Sequence, residues 1–123
     1  MKLHLADTAG LNAITGYGTD HVLINGERHE RALLVGPGFG PVPWSAGSFS
    51  ALTAADFAAI VERAPEVALI GTGARLRFPP GELMLGFARA RIGVEVMDTR
   101  AACRTYNILM GEGRLVLAAL LFD

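Results

Sequence analysis

The stretch Val67–Phe122, "VALIGTGARLRFPPGELMLGFARARIGVEVMDTRAACRTYNILMGEGRLVLAALLF", decides the fold. Val67–Ile70 is a short all-apolar run, as expected of a strand covered on both faces. Pro79 and Pro80 suit a helix's first turn and Glu82 complements its dipole, so the sequence predicts a helix to about Arg91. Gly93 breaks the chain and Val94–Met97 makes a second strand. Asp98 or Thr99 then caps a helix through about Met110, Gly111 and Gly113 stop it, and Leu115–Phe122 is a long, nearly uniform apolar strand. The order is βαβαβ, which predicts an open, largely parallel sheet with helices packed against it.

Outward from this stretch, toward the N-terminus, "HVLINGERHERALLV" carries Asn25-Gly26 between two β-rich segments. Both residues accept positive φ, so the pair predicts a type I′ hairpin. The two-residue loop fixes a register: Ile24 opposite Glu27, Val22 opposite His29, His21 opposite Glu30 and Asp20 opposite Arg31. His21 and His29 then lie on opposite faces and cannot ligate one metal from this hairpin. "GPGFGPVPW", Gly36–Trp44, reads as a loop whose glycines and prolines forbid a regular ladder. Its Phe39, Val42 and Trp44 either pack down as a lid or wait for a protein partner. Thr53 with Asp56 three residues later resembles a capping box opening a helix to about Arg63, with Phe57, Ile60 and Val61 as its apolar stripe and Pro65 ending it.

The chain's 123 residues fit one domain, 1–123, and one substantial core. Half the residues are hydrophobic and the formal net charge is -1, which argues against a disordered chain or an electrostatic binder of nucleic acid or anionic lipid. Charge is nevertheless uneven. Seven of the eleven basic residues, all Arg, fall between Arg75 and Arg114, which leaves room for a local anion site. The lone Cys103 excludes an intrachain disulfide and a multi-Cys metal cage, and points to a reducing compartment. Met1–Leu11 has no apolar run of signal-peptide length and no segment approaches ~18 continuous apolar residues. The expectation is a cytoplasmic protein with no membrane insertion, no metal and no cofactor; homo-oligomerisation is left open.

"GTGAR" matches neither phosphate-binding fingerprint: no lysine follows as in a P-loop, and the third glycine of a dinucleotide site is replaced by Leu76. Gly71 and Gly73 are consistent with a tight exit from a central strand. Topology offers an alternative. Right-handed crossovers make the first two strands parallel, so "GTGAR" and "MDTR" leave the sheet at one edge, where open α/β sheets hold ligands. That edge gathers the backbone N–H groups of Gly71 to Ala74, Thr72 and Gly73 between them, the helix N-terminus after Asp98, the hydroxyls of Thr72 and Thr99, and the guanidinium groups of Arg75 and Arg100. The ligand reading is a small anion or carboxylate held there.

Cys103 lies about one turn inside the last helix beside Arg100 and Arg104, which would favour a thiolate. Its spacing with Tyr106, Asn107 and Met110 is equally that of a core stripe. A base for it, His4 or His21, would have to come from elsewhere in the fold. Tyr106 and Asn107 either face a ligand or bond a nearby loop. No complete catalytic set emerges.

At "GTGARLRFPP" followed by "GVEVMDTRAACRTYNILMGEGR" the chain resembles a small α/β domain family that includes mitochondrial complex I assembly factor 3 and its bacterial and archaeal relatives. The resemblance runs from "ITGYG" through Trp44 to the last strand. It places a glycine-loop motif on Gly71, Thr72 and Gly73 with Pro79 and Pro80. A second motif falls on Met97, Asp98, Thr99, Ala102, Cys103, Thr105, Tyr106, Asn107 and Arg114. The resemblance implies a three-layer α/β domain with a central mixed sheet, and an assembly-factor-like, protein-binding role. The start of the sequence lacks a mitochondrial-type leader, so the organelle does not carry over, and the wealth of Ala, Gly and Arg with one Lys suggests a bacterial source.

Overall fold

Side chains of the two innermost strands alternate between two separate cores, one on each face of a five-stranded sheet. The computed structural model describes residues 9–123; His4 lies outside the described residues. In chain order the strands are β1 (Ile14–Tyr17), β2 (Val22–Ile24), β3 (Glu27–His29), β4 (Leu33–Gly36), β5 (Phe39–Pro43), β6 (Val67–Thr72), β7 (Gly93–Met97) and β8 (Val116–Leu121). The helices are α1 (Ala54–Val61), α2 (Leu85–Arg89) and α3 (Thr99–Gly111), with 3-10 turns at Phe49–Ala51 and Gly81–Met84.

β1, β2 and β3 form an antiparallel meander, and the large sheet has the order β5-β4-β8-β6-β7. β6 is parallel to both β7 and β8, while β4 is antiparallel to β5 and β8. The architecture is therefore a three-layer α/β arrangement around a mixed sheet. Val67 and Leu69 of β6, with Val116, Ala118 and Leu120 of β8, meet Ala102, Cys103, Tyr106 and Met110 of α3 and Ile14, Val22 and Ile24 of the meander. Ala68 and Ile70, with Leu117, Ala119 and Leu121, meet Phe57, Ile60, Phe87 and Trp44 on the other face. Double-sided burial explains the continuous apolar runs of β6 and β8.

The hairpin has the predicted register: Ile24 pairs with Glu27 and Val22 with His29, and Asn25 and Gly26 take φ of 52° and 85°. It gains a third strand, β1, whose ladder is irregular between Ile14 and Gly16. Asp56 completes the cap of α1, accepting from the Thr53 N–H at 2.8 Å and the Thr53 hydroxyl at 3.0 Å.

Two expectations are corrected. Gly36–Trp44 is not a loop outside the ladder: Phe39–Pro43 is an edge strand, pairing Val42 with Leu34 and Pro43 with Leu33. An edge strand needs N–H groups on one side only, which accommodates its prolines. The helix expected from Pro79 to Arg91 is shorter, a 3-10 turn over Gly81–Met84 followed by α2. Pro79 is itself buried and ends an extended approach.

The crossovers fix where a site can form. The β6-to-β7 crossover carries α2 on one face, and the β7-to-β8 crossover carries α3 on the other. The chains leaving β6 and β7 thus part to opposite faces, a topological switch point.

Candidate functional site

Gly71 pairs with Met97 at the end of the β6–β7 ladder, so residues 72–75 and 98–100 are delivered to one edge. Gly71 allows the first turn of α3 to close on the sheet: a Cβ there would stand 3.0 Å from Thr99 Oγ1 and 3.1 Å from Thr99 Cα. Gly73 takes φ +95° and would meet the Asp123 carbonyl with any side chain. Thr99, buried, ties three segments together. Its hydroxyl donates to the Leu121 carbonyl at 2.6 Å and accepts from the Gly73 N–H at 2.8 Å, while its own N–H donates to the Gly73 carbonyl at 2.9 Å.

Thr72 does the same for the outgoing chain. Its hydroxyl donates to the Arg75 carbonyl at 2.7 Å and accepts from the Arg77 N–H at 3.1 Å. The Arg77 guanidinium turns back to donate to the Thr72 carbonyl at 2.6 Å and the Asp123 carbonyl at 3.2 Å, 3.4 Å from the Asp123 carboxylate. It also lies 4.5 Å over the Phe49 ring. Gly71, Thr72, Gly73, Asp98 and Thr99 are therefore brought together; Gly73 and Thr99 are bonded to each other and Thr99 to the end of β8, while the Thr72 hydroxyl is spent on Arg75, Arg77 and, at 3.3 Å, the Met97 carbonyl. Asp98 caps α3, accepting from the Ala101 N–H at 2.9 Å. Arg75 and Arg100 flank this seam, exposed.

Cys103 and Tyr106 continue the buried face of α3 that begins at Thr99, with Asn107 at its edge. Cys103 is fully buried in the core. Burial pushes its thiol up to about 12, outweighing the opposing pull of Arg104; Asp98 adds to the rise. Such a thiol is inert at neutral pH. Tyr106 is buried, its ionisation also pushed up by burial, and its hydroxyl donates to the Asn12 carbonyl at 2.8 Å. The Asn107 amide pairs with the backbone of Ile14 like a neighbouring strand, accepting from its N–H at 2.9 Å and donating to its carbonyl at 2.7 Å. Arg104 is exposed, with Nη1 3.4 Å from the Tyr17 hydroxyl.

Sequence reasoning missed Asn12 and Arg77. Asn12 Nδ2 donates to the carbonyls of Gly36, Phe39 and Gly40 at 3.0, 3.1 and 3.0 Å, joining the meander to the β4–β5 turn. Nothing local marks it. Arg77 carried a signal, the alternation Leu76-Arg77-Phe78-Pro79 of an extended segment with one side turned inward.

Of the proposed contact residues, Trp44 is buried: its indole N–H donates to the Asp56 carbonyl at 3.0 Å and its ring meets Phe57 edge-on at 6.0 Å. Phe39 and Val42 are half-buried, Phe39 beneath the Arg63 guanidinium at 3.5 Å. The large apolar side chains in solvent are instead Leu76, Phe78, Leu85, Ile108 and Leu115. Three grooves, of about 570, 240 and 450 Å³, lie against the β3–β4 connection and β5, between Phe39 and Leu115, and beside Trp44 and Phe122. None of the three includes a residue of 71–100. Among the described residues no three His, Cys, Asp or Glu side chains gather as a metal site, and no helix is long and apolar enough to cross a membrane.

Residues 14–121 match the family described as "Protein of unknown function (DUF498/DUF598)", and the chain belongs to that family. It is 33% identical over 110 residues to the human NADH dehydrogenase (ubiquinone) 1 alpha subcomplex assembly factor 3, a match covering 88% of this chain and 59% of the human protein. The chain thus spans somewhat under two thirds of that relative's length. A protein of Bordetella parapertussis superposes with a TM-score of 0.87 at 39% identity, covering 93% of this chain and 98% of that one. A Bordetella pertussis protein described as a Mth938-like domain superposes with a TM-score of 0.82 at 33% identity, covering 100% and 93%.

Proposed function

We propose that this member of the DUF498/DUF598 family is a noncatalytic protein-binding domain with an assembly-factor-like role. The observation that carries the reading is the division of polar and apolar groups on the β6-to-β7 crossover. Thr72 and Arg77 turn their hydrogen-bonding groups inward, while Leu76 and Phe78 stand 49% and 71% exposed. A catalytic centre needs unsatisfied groups aimed at a reacting atom. Here the hydroxyls are spent on the fold and the thiol is buried. The relationship to a respiratory-complex assembly factor supports the same reading and supplies its partner class, a protein subunit awaiting assembly.

A second reading, a site for a small anion or carboxylate at the same edge, is favoured by one observation. Arg75 and Arg100 are both exposed beside the Gly73–Thr99 contact. One paired experiment separates the two. Affinity capture from native cells is run beside a thermal-shift screen of phosphate, sulfate and small carboxylates. A true ligand at a hundred times its Kd adds about 2.7 kcal/mol of stability. The protein-binding reading expects a stoichiometric partner and no such shift. A saturable shift abolished by Arg75→Ala, with no partner captured, overturns it.

A further inference from the structure

We propose that the crossover between β6 and α2 is the docking surface for an acidic, amphipathic segment of the partner protein, with Leu76 and Phe78 as its anchors and Arg75 and Arg100 as its charge contacts. The proposal rests on the protein-binding reading above. Five large apolar side chains are exposed among the described residues, and three of them, Leu76, Phe78 and Leu85, fall within ten residues of this crossover.

The display is built into the fold. Thr72 Oγ1 holds the segment at both the Arg75 carbonyl and the Arg77 N–H, at 2.7 and 3.1 Å. The Arg77 guanidinium is clamped on the Thr72 carbonyl at 2.6 Å and Pro79 is buried. In an extended segment alternate side chains point to opposite sides. With 77 and 79 drawn inward, 76 and 78 are held outward, which lowers the ordering cost of binding through them. An aromatic anchor with arginine beside it is the composition enriched at interface hot spots.

Charge selects the occupant. Arg75 is two residues from Gly73 and Arg100 one from Thr99, and Gly73 and Thr99 are hydrogen-bonded at 2.8 Å, so both arginines spring from one seam. Both are exposed, and neither takes part in an ion pair among the described residues. Two like charges at the rim disfavour a symmetric second copy and favour Asp or Glu from another chain. A lipid surface is the weaker candidate. Membrane recognition by charge takes clusters of about four to eight basic residues, and Arg75 and Arg100, even with Arg104 one turn along α3, fall short of that.

The test places the photo-crosslinking residue benzoylphenylalanine at position 78, and separately at Ile108 on α3 as a control, in native cells. The expected result is an adduct from position 78 with a different polypeptide. Its crosslinked peptide is rich in Asp or Glu, and the yield falls about tenfold or more in Arg75→Glu/Arg100→Glu, as like-charge contact demands. Both arginines are exposed, so that variant should keep its melting temperature; if it does not, Arg75→Gln/Arg100→Gln gives the same readout without a new charge. Adducts from position 78 with lipid or with a second copy, or a yield that ignores both charge variants, overturn the docking surface. An adduct from 108 alone overturns it too, while leaving the protein-binding reading intact. No polypeptide adduct at either position, with none captured, defeats both.

Discussion

Thr99→Val removes one oxygen from the centre of the switch point and leaves the shape of the side chain almost unchanged. In the folded protein that oxygen satisfies two main-chain groups, the Leu121 carbonyl at 2.6 Å and the Gly73 N–H at 2.8 Å, and Thr99 is 3% exposed. Water cannot replace it without prising α3 off the sheet. Each buried group left without a partner costs about 1–3 kcal/mol, so the pair should cost about 2–4 kcal/mol, allowing for some relaxation. Urea unfolding monitored by circular dichroism reads this directly. With a slope of about 1–3 kcal/mol/M, the midpoint should fall by about 1–2 M at unchanged slope. Amide exchange should quicken first at Gly73, whose protecting acceptor is gone. A loss below about 0.5 kcal/mol, or normal protection at Gly73, would refute the idea that this edge is sealed by Thr99. The hydroxyl would then be free for another purpose, and the ligand reading would regain ground.

How far the sequence foretold this seam depends on the range of each interaction. The Asn25-Gly26 hairpin was legible to the residue, because a two-residue loop fixes its own register and both partners lie within a few positions. The burial of β6 and β8 was legible because a strand covered on both faces has no polar side to alternate with. β5 was not, since proline is evidence against a central strand but not against an edge one, and edge or centre is settled only by the neighbours. The meeting of Gly73 with Asp98 and Thr99 followed from two parallel strands ending together. Thr99's role as a bridge did not: its partners are 26 and 22 residues away, and no local pattern reports them. Trp44 misleads for a related reason. Its neighbours in sequence are loop formers, but the groups that bury it, Phe57 and the Asp56 carbonyl, come from a helix a dozen residues on.

The remaining predictions test the seam, the meander and the core thiol. Gly73→Ala should destabilise by more than about 2 kcal/mol, combining a left-handed backbone with a Cβ driven into the Asp123 carbonyl; a melting temperature within 2–3 °C of the parent, where about 4 °C or more is expected for each kcal/mol in a domain near this size, would exclude the clash. Asn107→Leu removes both bonds to Ile14 and should cost about 1–3 kcal/mol, with amide exchange quickening at Ile14 more than in β6; uniform exchange would deny Asn107 its role in fastening β1. The core thiol makes a pH prediction. Its folded value is raised to about 12 from 9.0, so between those limits the folded chain keeps a proton that the unfolded chain releases. The stabilisation is therefore complete below about pH 9 and lost as the pH climbs toward 12. From pH 8 to 10 the thiol alone should remove about 1.4 kcal/mol, roughly one pKa unit's worth, with Tyr106 adding a smaller loss in the same direction. Cys103→Ala will be less stable than the parent at every pH because it leaves a cavity, but its loss between pH 8 and 10 should shrink by that amount. Equal losses in the two proteins, or rapid alkylation of Cys103 in the folded state at pH 7, would show that the thiol is open to solvent and reactive.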